Sequence, residues 1–309
     1  MRVGASTGLS HAGRKRRHNE DSYVIEPPLF AVADGMGGAK AGEVASGLAA
    51  AALKEPGEDG ASGEERVAAL IREANRRVFR RAAEDQEAAG MGTTMTVALV
   101  ESDRVAIGHV GDSRAYLVRD GRLEQLTDDH SLVAELVRSG RLTPEEAEIH
   151  PQRSVITRAV GTEPDVDVDT FSVQGNAGDL FLICSDGLTD MVDEGTILQA
   201  VEGNRGDLDE AAKVLVGAAN RGGGEDNITV VVFELSGDEP VEDTAITEQA
   251  PVIESETTED EDTLTGLEAV PVQPAEEQPR RRGRALPIAS GLAVLLIAAA
   301  AVLWLLDNL

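Results

Sequence analysis

The run Leu29-Phe-Ala-Val-Ala-Asp-Gly-Met-Gly-Gly38 decides the fold: five apolar residues, an acid, then glycines. A short apolar run bounded by a turn signal reads as a buried strand. The same order returns at Leu180-Phe-Leu-Ile-Cys-Ser-Asp186-Gly187, and again where Val105-Ala-Ile-Gly-His-Val-Gly111 leads into Asp112. Asp226 precedes Asn227 and the apolar run 228–233, and Asp21 stands just before Tyr23-Val-Ile25. Further strands are predicted over 94–100, 104–110, 115–118 and 228–235. Glu101-Ser-Asp103 and Asp120-Gly121 are hairpin connections, so this part of the sheet should be antiparallel. Helical spacing runs over 43–53, 64–89, 132–139 and 208–219. In the second of these Val67, Leu70, Ile71, Ala74 and Val78 form one face. The pattern predicts an α+β domain rather than a parallel α/β sheet.

The chain has 309 residues and a net charge of −28, from 28 Lys and Arg against 56 Asp and Glu. That balance excludes a nucleic-acid binder, whose footprint is a basic patch. The single cysteine, Cys184, excludes a disulfide framework and a cysteine-based zinc site. Residues 236–279 carry 14 of the acids and no Lys or Arg, which leaves −17 on residues 1–235. We therefore expect a globular domain over 1–235 and an acidic, disordered linker over 236–285. Residues 286–306 contain no charge and are long enough for a transmembrane helix. Arg280, Arg281, Arg282 and Arg284 precede that span, and only residues 307–309 follow it. By the positive-inside rule this predicts a single-pass protein of the cell membrane with its domain in the cytoplasm. No apolar run opens the chain, so no signal peptide is expected.

One Asp-Gly after a strand is ordinarily a turn. Five aspartates at strand ends, Asp21, Asp34, Asp112, Asp186 and Asp226, are harder to explain that way. If their strands share sheets, the carboxylates converge and repel, and divalent cations would offset that cost. Oxygen-only ligation suits Mg²⁺ or Mn²⁺. Two such ions can acidify a water and clamp phosphate oxygens. The basic cluster Arg14-Lys-Arg-Arg17 is the candidate partner for the phosphate.

The segments Arg16-Arg-His-Asn-Glu-Asp21, Ala33-Asp-Gly-Met-Gly-Gly38, Gly92-Thr-Thr94, His109-Val-Gly-Asp-Ser-Arg-Ala-Tyr-Leu117, Cys184-Ser-Asp-Gly-Leu-Thr-Asp190 and Gly224-Glu-Asp-Asn-Ile-Thr229 stand in the order of a known family's motifs. They resemble the PP2C-type (PPM) metal-dependent serine/threonine phosphatases, over residues 5 to 235. The bacterial branch that counteracts Hanks-type kinases is the most similar. The resemblance implies a PP2C-like sandwich of two antiparallel sheets flanked by helices. It implies that Asp34 bridges two metals, that Gly35 supplies a backbone carbonyl to the first, and that Asp186 and Asp226 serve the second. Asp21 matches an outer ligand, with Glu20 beside it. Asp112 matches the ligand of a third, weaker ion, with Ser154 as a further candidate there. Arg16, four positions before Glu20, matches the phosphate-binding arginine, with its neighbour Arg17 as the less favoured alternative. Met36 stands where some members carry a histidine proposed as general acid, so that role is unassigned.

The function expected is metal-dependent hydrolysis of phosphoserine and phosphothreonine on cytoplasmic or membrane-proximal proteins. The partners expected are phosphoproteins, including a Ser/Thr kinase, met by a monomeric catalytic domain. The alternative is a membrane-tethered scaffold that binds phosphoproteins without catalysis. Thr143, Pro144 and Glu146 predict a capped helix start between Asp112 and Asp186. A phosphatase nucleophile at Cys184 is disfavoured because no Cys-x₅-Arg loop is present: residue 190 is Asp. Gly35–Lys40 lacks P-loop spacing. His109 and His150 read as packing or capping residues, and Ser113 and Ser185 lack a triad context.

Overall fold

The computed structural model describes residues 1–37, 41–54 and 62–237. One sheet has the strand order β1 (Arg2–His11), β11 (Ile228–Ser236), β10 (Leu180–Cys184), β7 (Arg114–Arg119), β8 (Arg122–Gln125). The other runs β2 (Asp21–Glu26), β3 (Leu29–Met36), β5 (Met95–Val100), β6 (Arg104–Val110), β9 (Asp169–Gln174), with β4 (Gly92–Thr93) paired to the end of β3. Every pairing is antiparallel. Between β7 and β8, Asp120 and Gly121 both take positive φ, 51° and 70°, as a tight hairpin requires.

Strand alternation builds three apolar layers from these two sheets. Phe30 and Val32 of β3, Ile107 of β6, Phe181 and Ile183 of β10, and Val231 and Phe233 of β11 meet between the sheets. Phe233 stacks on Phe30 at 4.1 Å and on Phe181 at 5.1 Å between ring centroids. The alternate residues Ala31, Ala33, Val97 and Leu99 turn outward onto helices α1 (Ala41–Leu53) and α2 (Gly63–Glu84). On the far side Leu180, Leu182, Val230 and Val232 pack on α6 (Glu194–Gly203) and α7 (Leu208–Gly222). The result is a four-layer α+β sandwich. Three short helices, α3 (Leu132–Arg138), α4 (Pro144–Glu148) and α5 (Asp186–Thr189), lie in the connections flanking β9 and β10. The capping box expected at α4 is present: Thr143 Oγ1 accepts from the Glu146 N–H and Glu146 Oε2 from the Thr143 N–H.

The six strands expected from sequence are found within a few residues of their predicted ends. The helix expected over 64–89 stops at Glu84, because Asp85 turns to an extended conformation and caps a 3₁₀ turn over Gln86–Ala88. From residue 238 onward, the predicted linker and the predicted span over 286–306 lie outside the described residues. Among the described residues no helix is long and apolar enough to cross a membrane.

Phe233 touches both sheets' aromatic rings, so Phe233→Ala should cost about 3–5 kcal/mol, as large-to-small changes of buried aromatics do. Urea unfolding would measure it; a loss under about 1 kcal/mol would show that the stack is not central to the core.

Candidate active site

The layer between the sheets changes character along its length. Beyond Phe30, Ile107 and Phe181, the same alternation places Asp34, Thr94, Thr96, His109, Ser185 and Thr229 at one end. Asp34 is opposite Asp21 in the β2–β3 register. Its backbone is fixed on both sides: its N–H donates to Thr94 Oγ1 (3.0 Å), and its carbonyl accepts from the Thr94 N–H and Thr93 Oγ1 (both 2.8 Å).

The glycines that follow the acids do more than turn the chain. A Cβ on Gly35 would lie 2.2 Å from the Gly42 carbonyl oxygen and 2.5 Å from that of Glu20. One on Gly187 would lie 2.0 Å from the Asn227 carbonyl oxygen. Both positions are close approaches of backbone to backbone that only glycine permits. Gly111, at φ 115°, places Asp112 at the end of β6, and a Cβ there would strike Thr94.

Asp186 opens α5, and Asp226 sits in the turn before β11. Asp226 Oδ1 accepts from the Asn227 N–H (2.8 Å), and Oδ2 accepts from Arg16 Nη2 (2.6 Å). Asp21 Oδ2 accepts from Ser185 Oγ (2.9 Å) and Thr229 Oγ1 (2.6 Å). Asp21 Oδ1 and Asp186 Oδ1 are buried with no hydrogen-bond partner. An orphaned carboxylate oxygen is expensive in a protein interior.

The charges feel one another. Burial, and then the carboxylates of Asp21, Asp186, Asp112 and Asp226, push Asp34 well above the ordinary range. Asp186 is raised in the same way by burial and by Asp112, Asp190, Asp226 and Asp21. Burial lifts Asp21 to about 6 and, with Asp129, lifts Asp112 to about 7. Among the described residues, the only side chain ion-paired to any of these five acids is Arg16. Two orphaned oxygens, an all-oxygen donor set and uncompensated charge fit hard divalent cations. Among the described residues no three acidic, histidine or cysteine groups close around one point as a finished cage.

Arg16 is held in place by a clamp that sequence reading did not identify. Buried Asn227 accepts the Glu20 N–H on Oδ1 (2.7 Å), and its Nδ2 donates to the carbonyls of Ala12 (3.1 Å) and His18 (3.0 Å). The Arg14 and Lys15 N–H groups both donate to the Gly224 carbonyl (2.7 and 3.1 Å). The loop bearing Arg16 is thus tied at both ends and its middle to the turn bearing Asp226.

Sequence reading also missed the supports of Asp112. Gly111 N–H donates to His130 Nδ1 (3.0 Å), which makes Nε2 the donor toward Asp169 Oδ2 (3.0 Å). Arg114 forms a forked ion pair with Asp129. Asp190, raised chiefly by burial, adds a sixth carboxylate beside the five. Of the residues predicted from sequence, Arg16, Asp21, Asp34, Gly35, Asp112, Asp186 and Asp226 gather here. Ser154 is exposed on the turn over 151–154. In that loop it is Arg153 that reaches the cleft, with Nη2 3.7 Å from Asp190 and 4.0 Å from Glu225. Cys184 is fully buried, its thiol pushed up to about 12 by burial, which agrees with a structural role. His109 is buried against Thr96 and His130, and burial lowers it to about 3.

Comparison with known proteins places this architecture. The protein phosphatase 2C profile matches residues 7–208, and the chain belongs to that family. It is 44% identical over 228 residues to the serine/threonine protein phosphatase PstP of Mycobacterium tuberculosis, covering 73% of this chain and 44% of PstP. The chain therefore spans less than half the length of that relative. It is 42% identical over 233 residues to the serine/threonine phosphatase stp of Listeria welshimeri, covering 72% of this chain and 92% of stp. The crystal structure of the PstP catalytic domain in complex with two manganese ions superposes with a TM-score of 0.70. It shares 40% identity and covers 77% of this chain and all of that domain.

The carboxylate shifts predict how metal binding follows pH. Folded pKa values raised above the unfolded value near 3.8 mean that the metal-free fold holds extra protons up to about pH 6–7. That contribution to stability is complete below 3.8 and is lost as pH rises through the raised values. Cation binding must displace those protons. The rise in Tm on adding Mn²⁺ should therefore be largest near pH 8 and shrink steadily toward about pH 5.5, with proton release in calorimetry. Taking the difference with and without Mn²⁺ cancels the opposite pH dependence of His109. A Tm increment that is flat across this range would contradict the proposed ligand set.

Proposed function

We propose that this chain hydrolyses phosphoserine and phosphothreonine esters in proteins, using two Mn²⁺ or Mg²⁺ ions held by Asp34, the Gly35 carbonyl, Asp186 and Asp226. The observation that carries this reading is the set of converging strand-end carboxylates with two buried oxygens unpartnered. Asp21 stands behind them, its outer oxygen fixed by Ser185 and Thr229. Bound divalent ions supply a nucleophile from water at neutral pH and charge to offset the phosphoryl oxygens. Arg16, 53% exposed and anchored at Asp226, is placed to receive the phosphate in a forked contact. Asp112 is the ligand proposed for a third, weaker ion, with the exposed Ser154 as a further candidate for it.

We further propose that residues 286–306 anchor a monomeric catalytic domain to the cytoplasmic face of the cell membrane. The supports are the 21 uncharged residues and the four arginines before them. The substrates proposed are phosphoproteins close to that surface, a Hanks-type kinase among them; the serine/threonine phosphatase names of the relatives support the phosphoprotein class.

With Mn²⁺, the full chain should release phosphate from phosphothreonine peptides and from an autophosphorylated Hanks-type kinase. Asp34→Asn should lower kcat by at least about 10³-fold, a loss typical of removing a group that stabilises developing charge. No phosphate release from the Mn²⁺-loaded chain, together with unchanged function of Asp34→Asn in cells, would favour the scaffold reading. On cell fractionation the full chain should sediment with membranes, and a chain ending at residue 285 should not. Equal partitioning of the two would remove the anchor.

A further inference from the structure

The loop carrying Arg16 holds more positive charge than one phosphate requires. Arg14, Lys15 and Arg17 are exposed, and none of their side chains makes an ion pair or hydrogen bond among the described residues. Many basic side chains of this acidic domain close on acids, among them Arg76 and Arg77 on Glu73, Arg205 on Glu202, and Arg119 on Asp179. Here three cations without such partners fall within four consecutive residues, on a loop tied down through its backbone. Asn227 grips both ends, at the Ala12 and His18 carbonyls, and Gly224 accepts from two N–H groups in the middle. A Cβ on Gly13 would meet the Asp226 carbonyl oxygen at 2.1 Å, so loop and turn are packed without a gap. The positive charges are therefore presented at a fixed offset from the arginine that receives the phosphate, and ordering their backbone on binding costs little.

We propose that Arg14, Lys15 and Arg17 form a docking rim for carboxylate side chains that flank the phosphorylated residue of a protein substrate. The chain then selects phosphosites in acidic surroundings. An extended peptide advances about 3.4 Å per residue, so the rim reads acids within roughly three positions of the phosphoresidue. This rests on the phosphatase reading above. Each exposed charge pair contributes modestly and is screened by salt, so the selection is a sum of small terms.

The test compares kcat/KM of the Mn²⁺-loaded full chain on two phosphothreonine peptides that differ only in flanking Glu or Gln. The Glu peptide should be favoured about tenfold at low salt, falling toward parity at about 0.5 M NaCl. In the triple variant Arg14→Gln, Lys15→Gln, Arg17→Gln the preference should vanish, read as the ratio of kcat/KM on the two peptides, in which any change in phosphate binding common to both cancels. Arg14→Lys with Arg17→Lys, which preserves charge, should retain the preference. If neither peptide is hydrolysed, the phosphatase reading itself fails. If both are hydrolysed without preference, or the preference survives in the triple Gln variant, the docking rim is wrong.

Discussion

Gathering several carboxylates into the space between two sheets sets the terms for the rest of this structure. Like charges at close range, removed from water, raise one another's proton affinity until a counter-charge arrives. Four of the five strand-end aspartates show that upward push, and each has burial as its leading cause. The fold holds them there by rigid means: backbone pairing at Asp34, a helix start at Asp186, and glycine contacts too tight for any side chain. Stability is spent at one end of the interior layer and recovered at the other, where Phe30, Phe181 and Phe233 stack. A single periodicity of two thus produces both the aromatic centre and the acidic mouth.

That periodicity explains why much of the site was legible in the sequence. A buried strand ending in Asp declares both the strand and the end at which its acid emerges, and this held for Asp34, Asp112 and Asp186. Glycine after aspartate carried a second meaning that local reading underestimated. At Gly35 and Gly187 the constraint is a distant backbone pressed against the α-carbon, and that neighbour lies elsewhere in the chain.

What stayed hidden was mostly non-local or half-exposed. β1 and β9 alternate weakly because they lie at sheet edges, with one face only partly covered. The partners of Asn227 lie about 210 residues away, and Ser185 meets Asp21 across 164 positions. No window of sequence can display such a pair. Ser185 illustrates the difficulty well: a serine read as a failed nucleophile is a hydroxyl that orients a carboxylate. His130, paired with Gly111 and Asp169, similarly gave no local signal beyond an unremarkable Asp-Asp-His-Ser run.

The clamp at Asn227 has a consequence for how the domain is made. β1 opens the chain and can pair only with β11, the last strand of the domain. Arg16 is likewise aligned only by the turn at residues 224–227. A polypeptide emerging from the ribosome therefore carries the Arg16 loop through about two hundred further residues before that turn exists to hold it. The acidic end of the interior layer is completed only when residues 224–236 appear, and a chain translated short of them lacks both the strand partner of β1 and the clamp on the Arg16 loop.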